Sequence, residues 1–288
     1  MNAAPQRAPG ELPGWISAHV AETACNSLLA ELNTWPKPGL VSHVDQGSHS
    51  DMAACTFVAS AIAITPFFGQ LTEAGAAGAG MPALRNIGLA AERAMLAATG
   101  GVNTHRGAIF GLGLLCAAAG AAWSSRRATW RPARLGEIVR TRWGGSILRG
   151  PIPLRSHGTE AWRRFGAGGA RAQAAAGFPH VLDVGLPALR LARELHPGDP
   201  EAARVQAFFA LLAVMEDTNL LHRGGAEGLR FAQQMAAGFL SGGGVARRGW
   251  RDRAAMVHQA FVARRLSPGG CADLLGMSVF LDTLETGA

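Results

Sequence analysis

The sequence predicts an all-α fold, and three observations carry that prediction. Ala and Gly are abundant while β-branched residues are sparse, a balance that favours helix over sheet. Apolar residues recur at steps of three and four between Gly- and Pro-rich breaks. No alternation of period two runs long enough to support a strand. At 288 residues the chain can bury a large core without staples. The expected organisation is a flexible tail over 1–13 and a single multi-helix domain over 14–288. Its helix bodies are bland, and its polar, Gly-rich motifs fall at helix ends, where they can converge on one pocket.

Taken in order, Ser17 is the expected N-cap of a helix to about Trp35, with Ala21, Ala24, Leu28 and Leu32 on one face. That helix delivers Glu31 to the edge of the next loop. Residues 31–52, ELNTWPKPGLVSHVDQGSHSDM, hold Lys37, the only lysine among 27 cationic residues. Pro36 and Pro38 stiffen the backbone on either side of it. His43, Asp45, His49 and Asp51 follow closely. Ser48 or Ser50 can cap a helix from Asp51 to about Ile64, which puts Asp51 in a first turn where a carboxylate suits the helix dipole.

A helix over Pro82–Ala98 ends at the C-cap signal Thr99-Gly100-Gly101. Thr104 reads as the N-cap of a long apolar helix to about Trp123. His105 and Arg106 then oppose the dipole in its first turn, an arrangement that a bound anion would justify. The Arg- and Trp-rich stretch 124–155 predicts one short helix around Pro132–Arg142. A further helix runs from Ser156 to about Ala176, closed by Gly177-Phe178-Pro179. Helices are then predicted over Gly185–Leu195, Pro200–Asp217, Ala226–Leu240, Trp250–Arg265, and from Ser267 to about Leu284. Two adjacent acids, Glu216 and Asp217, at a helix C-terminus invite a metal or a basic ligand. Ser267-Pro268-Gly269-Gly270 ahead of a helix resembles a backbone-amide phosphate cradle, although Pro-Gly-Gly is also ordinary turn chemistry.

The totals exclude several classes. The formal charge of +7 suits anionic partners, but there is no aromatic RNA-binding set, finger spacing or basic heptad, so nucleic acid is not the expected partner. Cys25, Cys55, Cys116 and Cys271 form no CxxC pair, which points to reduced thiols in a cytoplasmic protein. The N-terminal residues show no apolar signal-peptide core. Met52–Thr72 and Gly107–Ser125 lack charge over a membrane's width, but Pro66 and weak hydrophobicity favour buried core helices over membrane spans.

Six motifs then stand together: PKPGLV (36–41), GSHSDM (47–52), GVNTHRGAIF (101–110), GFP (177–179), DTNLLHRGG (217–225) and SPGGCADLL (267–275). In order and spacing they resemble the triphosphoribosyl-dephospho-CoA synthase family over about Ala21 to Leu281. The form WPKPGLVSHVDQGSHSDM resembles the malonate decarboxylase branch more than the citrate lyase branch. The resemblance implies an all-α pentosyltransferase. Such an enzyme moves the 5-triphosphoribosyl group of ATP to the ribose 2′-hydroxyl of 3′-dephospho-CoA and releases adenine. The product is the precursor of a prosthetic group that a downstream transferase attaches to an acyl carrier protein. Under that resemblance Lys37, Arg106 and Arg223 suit the polyanionic substrates. Asn103 and Asn219 suit sugar hydroxyls or the purine edge. His105, Gly224, Ser267, Gly269 and Gly270 complete the substrate-binding set. Mg²⁺ accompanies ATP, with Asp51, Asp217 and Asp273 as candidate ligands. Asp51, His49 and Asp217 are the candidate catalytic residues, with the base left open among His49 and the aspartates. One departure stands out: the family shows GxRGEA before GFP, and here Gln173 replaces the Glu. The rival readings are a metal-dependent nucleotide hydrolase and a non-catalytic assembly factor for an acyl carrier complex. A homodimer is compatible with all three.

Overall fold

The computed structural model describes residues 12–124, 130–151 and 167–287. Among them it holds eleven α-helices and no strand, so the all-α prediction stands. They are α1 (Gly14–Leu32), α2 (Ala54–Ala76), α3 (Met81–Ala98), α4 (Arg106–Ser124), α5 (Pro132–Arg149) and α6 (Gly169–Ala175), then α7 (Leu186–Leu195), α8 (Pro200–Val214), α9 (Thr218–Ser241), α10 (Trp250–Ala263) and α11 (Gly269–Thr286). A π-helical turn, Val181–Gly185, leads into α7, and a 3₁₀ turn, Gly244–Ala246, follows α9. The tail residues 1–11, the segment 125–129 and residues 152–166, where most of the helix predicted from Ser156 falls, lie outside the described residues.

Several boundaries differ from the sequence reading, each for a local reason. Pro13, not Ser17, occupies the cap of α1, and the Ser17 hydroxyl instead bonds Gly14 O (3.0 Å) and the Glu73 carboxylate (2.9 Å). α2 starts at Ala54, where the Ala53 amide donates to the Thr56 hydroxyl at 3.2 Å, which leaves Asp51 in a bend before the helix. It then runs through Pro66 to Ala76. The carbonyl that Pro66 deprives of a donor belongs to Ile62, which faces outward. α5 continues past Arg142 to Arg149 because Trp143 and Ile147 extend its buried stripe. α8 stops at Val214, and α9 begins at Thr218 rather than Ala226 and passes a kink at Gly225 (φ 61°, ψ −162°). Its apolar stripe breaks at Gly224-Gly225, which hides the first two turns from a periodicity reading.

The core is one continuous cluster from Ile16 to Leu284, and α4 is its axis. Ala108, Ile109 and every residue from Gly111 to Ala122 are buried. Small residues let backbones approach closely. A Cβ on Gly75 of α2 would lie 1.9 Å from Ala117 O, and one on Gly120 of α4 would lie 1.9 Å from Thr72 O. Both α2 and α4 are long and apolar enough to cross a membrane by length and composition. The reading of α4 as a core helix holds, since 78% of its most apolar window is buried. For α2 the share is 28%, with Val58 and Ile62 exposed.

This packing gives a paired prediction. Gly120→Ala forces α2 and α4 apart and should cost about 1–3 kcal/mol in denaturant unfolding. Gly88→Ala, in α3 with nothing near the added methyl, should stabilise by about 0.5–1 kcal/mol. An unchanged midpoint for Gly120→Ala would show that the two helices do not pack through these glycines.

Candidate active site

The loop between α1 and α2 is drawn inward rather than left in solvent. Lys37 is 1% exposed, and its ammonium pairs with the Glu31 carboxylate at the end of α1. Burial lowers the Lys37 pKa and the Glu31 charge opposes that shift, while nearby Arg204 adds to it. The Lys37 carbonyl accepts from Nδ1 of buried His258 (2.9 Å), whose Nε2 lies 3.1 Å from the Asp45 carboxylate. Gly39 has φ 69°, and a Cβ there would fall 2.0 Å from Leu266 O, so only glycine lets the loop lie on the α10–α11 turn. The Ser48 hydroxyl donates to Leu266 O at 2.7 Å and ties the far end of the loop to the same turn.

Asp217 does not terminate a helix; it starts one. Its Oδ1 accepts the amides of Asn219 (2.8 Å) and Leu220 (3.2 Å) at the start of α9. Its Oδ2 accepts the amide of Cys271 (2.9 Å) in the first turn of α11. One buried carboxylate therefore caps two helices at once. The dipole conflict expected at a helix C-terminus does not arise. Burial raises the Asp217 pKa and the three amides pull it back.

Asp273 reaches a third helix start. The Ala108 amide donates to it, and a Cβ on Gly107 would lie 1.9 Å from Oδ2, so Gly107 makes room for the carboxylate at the head of α4. Burial raises the Asp273 pKa well above the usual carboxylate value, and the charges of Glu31 and Asp217 raise it further. The starts of α4, α9 and α11 and the end of α1 thus meet around Lys37, Glu31, Asp217 and Asp273.

His105 sits at the head of α4, and its first-turn cation reading is corrected. It is buried, and its pKa is lowered to about 3 by burial and then by the Lys37 charge. It carries no charge to oppose the dipole. Nδ1 lies 2.7 Å from Ser60 Oγ. Arg106 is exposed, and its Nε donates to Glu92 at 3.0 Å, so its partner is a carboxylate of α3 rather than an anion in the site. The Asn103 side chain accepts the Arg106 amide at 3.2 Å and takes the capping task assigned to Thr104.

His49, Ser267 and Arg223 form a latch at the rim. Arg223 can only donate, so Nδ1 of His49 accepts from it (3.3 Å) and Nε2 donates to Ser267 Oγ (2.8 Å). Burial and then Arg223 lower the His49 pKa, while Asp51, 3.6 Å away and mostly exposed, opposes them. Arg223 is also held by Ser48 O (3.2 Å) and Arg265 O (3.1 Å). Asn219 lies against Gly269, and Gly270 against Asp217, each too close for a side chain. Gly224 packs on Leu266.

The geometry therefore joins Lys37, His105, Asp217 and Asp273 in the interior, and His49, Ser267 and Arg223 at the rim. Asn103 and Arg106 lie exposed beyond them. The three expected metal ligands do not gather: among the described residues no group of three His, Cys, Asp or Glu is placed to hold a metal. Asp51 stands in the outer loop, and the amides occupy Asp217. A cleft of about 300 Å³ lies between α1 and α11, lined by His19, Glu22, Asn26 and Thr283 among others and by no residue of the six motifs. Sequence reasoning brought Glu31 to the edge of the loop without giving it a role, and missed Ser60 and Arg204 as members of the site. The available signal was a polar group on a buried stripe: Glu31 lies between Leu28 and Leu32, and Ser60 beside Ala61 and Ile64.

Comparison with known proteins settles the family. The model of the ATP:dephospho-CoA triphosphoribosyl transferase family matches residues 17–288. A Pectobacterium atrosepticum protein named 2-(5″-triphosphoribosyl)-3′-dephosphocoenzyme-A synthase is 39% identical over 283 residues, covering 91% of this chain and 88% of its own. Relatives from Pseudomonas fluorescens (39% over 280 residues, 94% and 93%) and Citrobacter koseri (39% over 279 residues, 94% and 92%) carry the same name with the qualifier "probable". The chain belongs to the ATP:dephospho-CoA triphosphoribosyl transferase family. No solved structure matches it.

Against the motif pattern of this family, Gln173 has a visible task. Its Oε1 accepts the His180 amide at 3.2 Å, and its own carbonyl accepts the Phe178 amide at 2.7 Å. It secures the GFP turn, where Phe178 has φ 63°. An amide oxygen accepts such a bond as a carboxylate does.

The His105 environment predicts a pH effect with a defined sign. Its pKa is depressed in the fold, so the unfolded chain binds the proton more tightly. The stabilisation is full above pH 6.5 and is lost as pH falls toward 3. Wild-type unfolding free energy should fall from pH 7 to 5 by about 2 kcal/mol more than that of His105→Asn. Equal slopes in denaturant titrations would remove His105 as the source.

Proposed function

We propose that this protein transfers the 5-triphosphoribosyl group of ATP to the ribose 2′-hydroxyl of 3′-dephospho-CoA and releases adenine. Family membership over residues 17–288 is the observation that carries the reading. The C1′–N9 bond of ATP breaks with its electron pair going to adenine, and the 2′-oxygen of the acceptor bonds C1′. The hydroxyl proton ends, in net, on adenine. Positive charge grows on the ribose meanwhile, and the field of Glu31, Asp217 and Asp273 favours it. Arg223, held by two carbonyls and His49 at the rim, suits the substrate phosphates.

Asp273 is the carboxylate of the three candidates that fits Mg²⁺. Mg²⁺ takes one or two protein carboxylates and completes its shell with water and phosphate oxygens. A cation there would relieve the crowding that raises the Asp273 pKa. Bound with ATP, it would neutralise triphosphate charge. Both His49 nitrogens are engaged, so the hydroxyl proton goes first to a carboxylate other than the one that holds the cation. The reading includes a cytoplasmic location, the malonate decarboxylase branch on the form of residues 35–52, and an acyl carrier protein as the product's eventual destination. A homodimer is also part of it, for which Val58 and Ile62 offer an exposed apolar face.

The test is adenine release from ATP and Mg²⁺, followed by chromatography. Adenine that appears only with dephospho-CoA, together with a heavier CoA product, is the expected result. Adenine without an acceptor would mean a hydrolase, and none at all an assembly factor. In the same assay Gln173→Glu should leave turnover within about threefold, since either side chain can accept the His180 amide. A large gain would mean that the family carboxylate takes part in the chemistry.

A further inference from the structure

We propose that Nε2 of His105 is a hydrogen-bond donor to the bound nucleotide, set in that role by a hydroxyl relay from Thr104 through Ser60. The inference rests on the transferase reading and adds an atom that reading does not use.

The relay has a direction. Thr104 Oγ1 donates to Ser60 Oγ at 2.7 Å, and Ser60 Oγ lies 2.7 Å from His105 Nδ1. Ser60 is fully buried, so its proton must find an acceptor. With Thr104 already donating to it, that acceptor is Nδ1. An uncharged imidazole whose Nδ1 accepts carries its proton on Nε2. Nε2 is buried and has no partner. The rest of the ring's surroundings offer it none. Phe57 stands edge-on at 5.1 Å, and Met95 Sδ takes the His105 amide at 3.2 Å. The side chain is held on several sides while one polar atom goes unused.

The location fits a ligand rather than a packing defect. His105 immediately precedes α4, beside Gly107, where Asp273 meets the helix. Burial keeps the ring unprotonated, and the nearby Lys37 charge adds to that effect. A donor there favours negative charge without giving up its proton, as an uncharged imidazole can. When C1′–N9 breaks, the electron pair moves onto the purine, and the triphosphate is anionic throughout. Both offer acceptor atoms. Nε2 is out of solvent's reach, so side chains of the cluster must move aside as the nucleotide seats.

Adenine release by the full-length protein with ATP, Mg²⁺ and dephospho-CoA tests this. Wild-type turnover reads the reaction, and the ratio of variant to wild type reads His105. His105→Phe should lower kcat/KM about 100-fold, and His105→Asn, which keeps an N–H, should recover part of that. The Asn variant should keep both limbs of the wild-type pH–rate profile. If the Phe variant melts early, Ser60→Ala, which frees the tautomer, should still cost roughly tenfold with the fold retained. 7-Deaza-ATP and 3-deaza-ATP separate the acceptors. A His105→Phe effect that vanishes with one of them assigns that ring nitrogen. An effect that persists with both assigns N1 or a phosphate or ribose oxygen. Wild-type kcat and KM in His105→Phe with lowered stability alone, or loss of a pH limb in His105→Asn, would overturn the proposal. Should the wild type release no adenine, the transferase reading fails separately. ATP affinity by calorimetry then reads the contact, and equal affinity in His105→Phe overturns it.

Discussion

Burying Lys37 is the constraint on which the site depends. An ammonium taken out of water costs several kcal/mol unless it is paired and hydrogen-bonded. Glu31 supplies the pair, and its place at the end of α1 dictates that the following loop must double back over the helix end. The other fixed points of that loop follow. His258 holds the Lys37 carbonyl, Gly39 admits the Leu266 carbonyl, and Ser48 bonds the same oxygen. Arg204 raises the cost of the buried charge and is itself held by the Thr34 hydroxyl at 2.7 Å. A lysine free in solvent would need none of these contacts.

The helix starts impose the second condition. A helix N-terminus presents free amides and partial positive charge. Three such starts brought together would repel one another and leave donors unmet. Asp217 resolves this for α9 and α11, and Asp273 for α4. The consequence is acidic crowding, which adds to the effect of burial in raising the Asp273 pKa. The arrangement balances acid against dipole and lysine, so a further cation or a shift of charge onto a substrate changes it strongly. A surface loop carrying the same residues would be screened by water and would respond weakly.

Much of this was legible in the sequence, and the rest was hidden for physical reasons. Helix content and most helix bodies follow from periodicity because burial is periodic. The motif residues were visible as polar chemistry at helix ends, and Lys37 as a lysine in an arginine-rich chain. The direction of a cap was not visible. Asp217 reads equally well as the last residue of α8 or the first cap of α9, and the Asn219 and Leu220 amides on its Oδ1, with the distant Cys271 amide on its Oδ2, decide between them. Likewise Arg106 beside an anion and Arg106 beside Glu92 have the same local sequence. Ser60 was passed over, and Glu31 was given no partner, because a stripe reading counts apolar positions and neglects the polar one that interrupts them.

Cavity volume and chemistry also point to different places in this molecule. The cleft of about 300 Å³ between α1 and α11 has polar walls but contains none of the six motifs. The motif residues surround a centre whose atoms already contact one another. Open space marks where packing is incomplete, whereas a catalytic centre is marked by charges held against their solvation preference. Lys37 with a lowered pKa, Asp273 with a raised one and an uncharged His105 with an unused donor are three such charges or dipoles within one cluster. Each is unfavourable alone, and a polyanionic nucleotide with its counter-charge meets all three needs. That convergence, rather than the cleft, is why the proposed transfer is assigned to the heads of α4, α9 and α11.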